Sequence, residues 1–382
     1  MGLDYIKRMP KDTIFDHSFA DPKYIGTMDK PPCTVYEKRP VVNPKTGEKI
    51  EGLYTGWIIL NNPKQGNSYT LEMVKGAAAG FNLAAHDKSV AAIILTGAGE
   101  RFFCTGGNVV EYSEYYSGRP FDTSQYMMLY WHAMESLWTA QKPVIRRVNG
   151  VSLAGGEELS GPCDLTVASD LATFGQIGPL HGSAAVGGAL QFKAVCWTFE
   201  DAAWNTTSCE QWSAYKLFRK NYIHKVVPVL KKDDQWIRNP EVITDKWIDE
   251  TGEIVYGEFK TGKELEQAKK LIEECKIDTS RLDQAINEVV WTFVNLYPGT
   301  LAMSFAILRR WKRANFDFDR GTLMYWWNAM PYGEYDMGMS SFRWRKAAGS
   351  DVIDMIKYRR MIAEGHPINE ELFEAVMPKP KK

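Results

Sequence analysis

The chain is short of the features that announce many protein classes. Its six cysteines (Cys33, Cys104, Cys163, Cys196, Cys209 and Cys275) are scattered over 382 residues. None forms a CxxC and no His/Cys/Asp cluster has metal-ligand spacing, so neither a disulfide framework nor a metal site is expected; the thiols read as reduced and cytosolic. No run approaches the ~20 apolar residues that span a bilayer. The opening MGLDYIKRMPKD lacks the apolar segment of a secretion signal, so a soluble cytoplasmic protein with no membrane partner is expected. The formal net charge of -1 gives nucleic acid no electrostatic foothold. Neither GxGxxG nor GxxxxGK[ST] surrounds the glycine pairs, which excludes a phosphate loop there.

What is present is apolar residue in ordinary supply, 45% of the chain, with thirteen Trp and eighteen Tyr. That suits a large core with an aromatic-lined pocket or interface. Residues 1–52 are polar and proline-bearing and read as an irregular arm with one short strand at 33–36. From Leu53 the texture changes. "GWIILNNP" (56–63) and "VAAIILTGAG" (90–99) read as buried strands stopped by turns, and "DLTVASD" (164–170) as another. Helical spacing marks 70–87 and 124–140, and a short helix fits 187–197. The alternation predicts an α/β class built of βα units over 53–230. A charged, turn-rich stretch at 231–262 reads as an insertion. Residues 263–382 read as a helical region, with helices at 263–275, 280–297, 299–313, 321–330 and 349–364.

Two glycine pairs stand at strand-to-helix junctions, in "GAGERFFCTGGNVVE" (97–111) and "NGVSLAGGEELSGPCDLTVASD" (149–170). Helix starts leave backbone N–H groups without intrahelical partners. Two such turns brought together would aim two donors at one oxygen, an oxyanion hole, and glycine lets a ligand approach the backbone. Taken alone, each pair could equally be an ordinary tight turn. If a helix begins near Gly155, Glu158 shares its face while Glu157 is turned roughly 100° away. Glu158 is therefore the acid beside the donor, and Glu157 a first-turn acid.

"LNNPKQGNSYT", "AAIILTGAGERFFCTGGN", "KPVIRRVNGVSLAGGEELSGPCDLTVASD" and "ATFGQIGPLHGSAAVGG" stand in the order and spacing of the crotonase (enoyl-CoA hydratase/isomerase) superfamily, which the chain resembles over roughly 53–228. The resemblance implies a crotonase (ClpP-like) spiral of ββα units. It implies an acyl-CoA thioester as substrate, with Gly107 and Gly155 N–H as the oxyanion hole and Glu158 as catalytic base and acid. It also implies contacts to the CoA portion by Lys64, Gln65, Asn67 and Arg101. CoA belongs to the substrate, so no cofactor is expected, and a homotrimer or homohexamer built through the C-terminal helices is.

The chain departs from the common hydratase pattern. Where those enzymes carry a second glutamate, "FGQIGPLHGS" has Gly178, which suggests room for a bulky acyl group or a second water. His132, near the place of a Trp-His in related dehalogenases, and His181, in the glycine loop, become the candidates for the remaining proton transfer. Glu111 reads as a solvated first-turn acid and Asp164 as structural. Length and these phrases resemble the ring-opening hydrolases of cyclic oxo-enoyl-CoA thioesters in anaerobic aromatic degradation. Plain hydration of an enoyl-CoA is the nearer rival, and a noncatalytic acyl-CoA-binding subunit the remote one.

Overall fold

The computed structural model describes residues 22–329 and 333–378. Its strands are Ile25–Gly26 (β1), Cys33–Val42 (β2), Lys49–Asn61 (β3), Val90–Gly97 (β4), Phe102–Cys104 (β5), Val144–Val148 (β6), Val151–Leu153 (β7), Leu165–Ser169 (β8), Thr173–Gly175 (β9), Trp212–Ser213 (β10) and Lys225–Val227 (β11). Seven form the main sheet in the order β1-β2-β3-β4-β6-β8-β11, and β10-β9-β7-β5 form a second sheet. The main sheet is parallel except for β2 against β3. Three times a long strand of the main sheet is followed directly by a short strand of the second: β4 by β5, β6 by β7, β8 by β9. That repeat is the ββα spiral the resemblance implies.

Strand β3 shows why the main sheet is buried on both faces. Ile58 and Leu60 join the cluster beneath the helices Leu71–His86 (α1) and Pro120–Trp138 (α3). Trp57 and Ile59 point the other way, into a cluster with the helix Ser280–Val294. Successive side chains of a strand face opposite sides, so one continuous apolar run serves two layers. Helix α1 is capped by Thr70, whose hydroxyl accepts from Met73 N–H at 3.3 Å. Its small residues Ala77, Ala78 and Gly80 let it lie close on the sheet.

Two sequence expectations are corrected here. Residues 33–52 are not an irregular arm with one short strand but, together with the expected strand that follows, form one long antiparallel hairpin, running from the pair Cys33–Asn61 to the pair Val42–Lys49. Its charged middle hides the apolar alternation. Lys38 and Arg39 lie over the rings of Tyr54 and Trp57, 4.5 and 4.0 Å from their centroids, so cations here cover aromatic surface. The part of the arm before Pro22 lies outside the described residues. In the C-terminal region, the helices expected at 299–313 and 321–330 are one helix, Pro298–Ala329, since no proline interrupts the stretch between them. Residue 330, the end of the second expected helix, falls outside what is described.

The stretch 231–262 begins in a small antiparallel sheet of Leu230–Lys232, Gln235–Ile237 and Lys276–Ile277. Arg219 donates to the carbonyls of Thr244, Lys246 and Val255. Buried Asp170 accepts from the N–H groups of Val229 and Asn239. These bonds hold the stretch on the core.

Candidate active site

A cavity of about 90 Å³ opens where the two glycine turns meet. The first turn leads from β5 into Val109–Glu111 (α2). The second leads from β7 into Gly155–Leu159 (α4). They touch: a Cβ placed on Gly106 would lie 3.1 Å from Gly155 N. Gly107 and Gly155 both line the cavity, and among the described hydrogen bonds neither N–H is spent within the chain. Ala154, just before the second turn, has φ 49° and ψ -128°. A non-glycine residue pays for such a conformation, and here it sits where Gly155 N–H must clear the helix and face the cavity.

Both glycines are also required for space. A Cβ on Gly155 would run into the Tyr69 hydroxyl, and one on Gly107 into the Tyr112 hydroxyl. Tyr69, Tyr112, Tyr126 and Tyr130 form one aromatic wall. Tyr112 and Tyr126 share a hydrogen bond of 2.7 Å, and the Tyr130 hydroxyl donates to the Gly155 carbonyl at 2.9 Å. Burial drives the phenol pKa values of Tyr69, Tyr126 and Tyr130 well above their ordinary value. These groups are therefore neutral donors, not bases, at any working pH.

Glu158 is the single carboxylate among the described residues that line the cavity. It is buried, and desolvation raises its pKa to about 8, against smaller opposing effects of the Gly187 N–H and Lys193. Glycine at 187 makes room for it, since a Cβ there would meet Glu158 Oε2. Glu157 looks the other way. Its Oε2 accepts from Lys193 Nζ at 2.6 Å, and Lys193 also reaches Asn205 Oδ1 at 2.5 Å. One helical turn thus carries a paired structural acid and, beside it, an acid with a pKa suited to proton transfer near neutrality.

Residues 55–287 match the family model described as enoyl-CoA hydratase/isomerase. The chain belongs to the enoyl-CoA hydratase/isomerase family. Within it, the chain is similar to a protein of Syntrophus aciditrophicus (strain SB) named 6-oxocyclohex-1-ene-1-carbonyl-CoA hydrolase, 47% identical over 100% of this chain and 99% of that one. A protein of the same name from Thauera aromatica is 42% identical over 91% of this chain and 92% of its own length. Among solved structures, an enoyl-CoA hydratase/isomerase from Mycobacterium paratuberculosis superposes with a TM-score of 0.58 at 13% identity, over 82% of this chain and 99% of that one. That likeness shows the enoyl-CoA hydratase/isomerase fold.

The structure brings some of the expected site residues together and separates others. Gly107, Gly155, Glu158 and His181 line one cavity. His181 lies on a single turn, Gly178–His181, edge-on to the Phe342 ring at 5.1 Å, and burial lowers its pKa. His132 is not on the cavity. Its side chain is 46% exposed, with Nδ1 3.1 Å from Glu135 Oε2. The reason is helical phase: α3 turns Tyr126, Met127 and Tyr130 to the cavity, and His132 is roughly 200° beyond Tyr130. Gly178 lines the cavity, yet it leaves no open slot, because a Cβ there would lie 2.8 Å from the Ser183 carbonyl oxygen.

The expected CoA contacts divide in the same way. Asn67 is wholly buried. Its amide donates to the carbonyls of Ala98 and Phe102, and its Oδ1 accepts from Asn62 N–H. It pins the turn between β3 and α1 and cannot meet a ligand. Gln65 is exposed but its Oε1 accepts from Asn62 and Asn108. Lys64 and Arg101 are exposed. Glu111 is not a solvated first-turn acid: it accepts from Leu71 N–H at 2.8 Å, capping α1, and burial raises its pKa to about 7. Asp164 is structural, accepting from Val144 N–H and pairing with Arg309.

Proposed function

We propose that this chain hydrates 6-oxocyclohex-1-ene-1-carbonyl-CoA and opens its ring hydrolytically to 3-hydroxypimeloyl-CoA, in the cytoplasmic breakdown of aromatic compounds without oxygen. The observation that carries the reading is Glu158, the one carboxylate among the described residues that line the cavity, beside two unspent glycine N–H groups. The full-length likeness to the hydrolases named above supports the choice of substrate.

The first water gives its proton to ionised Glu158 as its oxygen adds to the ring carbon β to the thioester. The alkene electron pair moves toward the thioester oxygen, where Gly107 and Gly155 N–H meet the growing charge. Each such donor typically contributes ~2.7–4 kcal/mol to the transition state. Glu158 then protonates the α-carbon. A second water gives its proton to Glu158 and its oxygen to the ring ketone carbon, with His181, neutral through burial, placed to orient it. The bond between that carbon and the α-carbon breaks. Its electron pair becomes the thioester enolate, held again by the two N–H groups and quenched by the proton on Glu158. Two waters are consumed and a carboxylic acid is released. The thioester is the electron sink, so the reaction calls for no metal or redox cofactor.

Incubating the purified chain with the cyclic oxo-enoyl-CoA and weighing the product tests this. A gain of two waters is expected; a gain of one leaves plain hydration, and an unchanged substrate rejects both. Exposed Lys64 and Arg101 supply positive charge for the CoA phosphates. We also propose a homotrimer or homohexamer. Its support is the helix Pro298–Ala329, which leaves Met303, Ile307, Leu308 and Trp311 each more than 60% exposed, more contiguous apolar surface than a lone helix face keeps in water. Sedimentation as a monomer would reject it.

A further inference from the structure

The proposed reaction develops negative charge on two oxygens, and the glycine pair serves only one of them. When the second water attacks the ring ketone, that ketone oxygen becomes an alkoxide. The ketone and the thioester carbonyl are both attached to the α-carbon, so their oxygens are neighbours. A donor for the ketone must therefore stand beside the donors for the thioester. In a site that excludes water, charge formed without a donor is costly.

Resting on that reading, we propose that the Tyr69 hydroxyl is the donor to the ring ketone oxygen, a second oxyanion site set against the first. Tyr69 lines the cavity, and its hydroxyl occupies the space a Cβ of Gly155 would take. The neighbouring hydroxyls are directed elsewhere: Tyr130 donates to the Gly155 carbonyl, and Tyr112, bonded to Tyr126, stands against Gly107; both also hydrogen-bond with Tyr69 and hold its hydroxyl in place. The backbone fixes Tyr69 to the first glycine turn. Its N–H donates to the Gly106 carbonyl at 2.9 Å, and its own carbonyl accepts from Asn108 N–H at 2.9 Å. One residue thus ties both turns to one hydroxyl position. Its ring packs on Tyr130, with centroids 5.5 Å apart, and the phenol stays protonated across the working range. Tyr69 donates a hydrogen bond as the ketone oxygen gains charge and takes it back as the carboxyl group forms, so no proton is consumed.

The two steps are separable by mass, which makes the assignment testable. Tyr69→Phe keeps the ring and its packing, and its melting temperature should match the parent's. Loss of one oxyanion donor slows its own step by roughly 10²–10³-fold. Ring opening should fall by that factor while hydration falls far less, so the product one water heavier accumulates before the two-water product. If both steps fall in proportion, or neither falls, in a variant that melts with the parent, Tyr69 is not the ketone's donor. If the parent itself never adds a second water, the ring-opening reading fails first, and this assignment with it.

Discussion

The cavity has two unlike walls. One, barer by comparison, is the stretch from Ala154 to Gly187, with glycines at 155, 178 and 187, Glu158 as the one acid among its described lining residues, and Gln176, Ile177 and His181 as its other larger side chains. The other is the tyrosine wall, bulky and rich in hydroxyl groups, with no ionised group. The bare wall presents a backbone donor, Gly155 N–H, and a carboxyl group. The tyrosine wall presents shape and neutral donors. In the proposed reaction the difference teaches a division of labour: protons move on the bare wall, and neutral donors face it from the tyrosine wall. Breaking the bare wall should stop the chemistry outright, whereas thinning the tyrosine wall should divert it.

The largest effect is expected at Glu158. Removing a group that serves as base and acid costs about 10²–10⁴-fold, and Glu158→Gln should lie toward the upper end because both waters of the proposed reaction depend on it. Turnover of the cyclic oxo-enoyl-CoA by stopped assays measures this. The same variant should be more stable than the parent in alkali. Folding raises the pKa of this group from 4.5 to about 8. The fold therefore holds it neutral while the unfolded chain ionises, and stability is lost as pH rises from about 4.5, fully so above about 8. Glutamine abolishes that loss, so melting temperatures of the two proteins should diverge with rising pH. A parallel pair of curves would show that Glu158 is not buried as an acid.

Next comes its neighbour. Glu157 and Lys193 are both 1% exposed, and removing one member of a buried pair strands the other, at a cost of about 3–5 kcal/mol. Glu157→Gln should therefore lower the melting temperature sharply while Glu158→Gln does not. Adjacent acids in one helical turn would then fail in opposite ways, one in turnover and one in stability. Equal melting temperatures would mean that Lys193 finds enough in Asn205.

That contrast also marks how far the sequence was legible. The bare wall lies within one contiguous stretch of glycine turns, so helical phase counted from Gly155 is enough to separate Glu158 from Glu157. The tyrosine wall is assembled from Tyr69 before α1, Tyr112 after α2, and Tyr126 and Tyr130 on α3. No local spacing relates these segments, and a chain with eighteen tyrosines gives no reason to choose four. Tyr126 and Tyr130, four apart on a helix, were the one available signal, and they also settle why His132, two residues on, faces away. The hairpin strand β2 was hidden for a related reason: its lysine and arginine cover aromatic rings across the strand pair, and that partnership is invisible in one strand alone. Asn67 was expected as a ligand contact because the resemblance places the CoA portion beside the turn after the first strand. Here its amide replaces the backbone bonds the turn lacks.

The pH profile of activity should show a smaller effect that still belongs to the bare wall. If Glu158 must be ionised to accept the first proton, kcat/KM rises about tenfold per pH unit below its pKa and levels off above about 8. At pH 6 the enzyme should run roughly a hundredfold below its plateau. A profile flat from pH 6 to 9 would mean that the base titrates elsewhere or that bound substrate resets it.

The smallest effect is expected outside both walls. The turn carrying Lys64 packs against the first glycine turn: Thr105 N–H donates to the Gly66 carbonyl at 3.1 Å, and Thr105 lines the cavity. Arg101 precedes that same turn, and its carbonyl accepts from Val151 N–H at 2.9 Å. Both side chains are exposed, so the proposed attraction of each to a CoA phosphate is water-screened and worth about 0.2–1 kcal/mol. Lys64→Ala and Arg101→Ala should each raise KM by a few-fold at low salt, leave kcat near the parent value, and lose even that difference as ionic strength rises. Kinetics at two salt concentrations separate this from damage to the site. A charge that only recruits the CoA end loses its effect in salt, whereas a side chain that positioned the thioester against Gly107 would lower kcat at any salt.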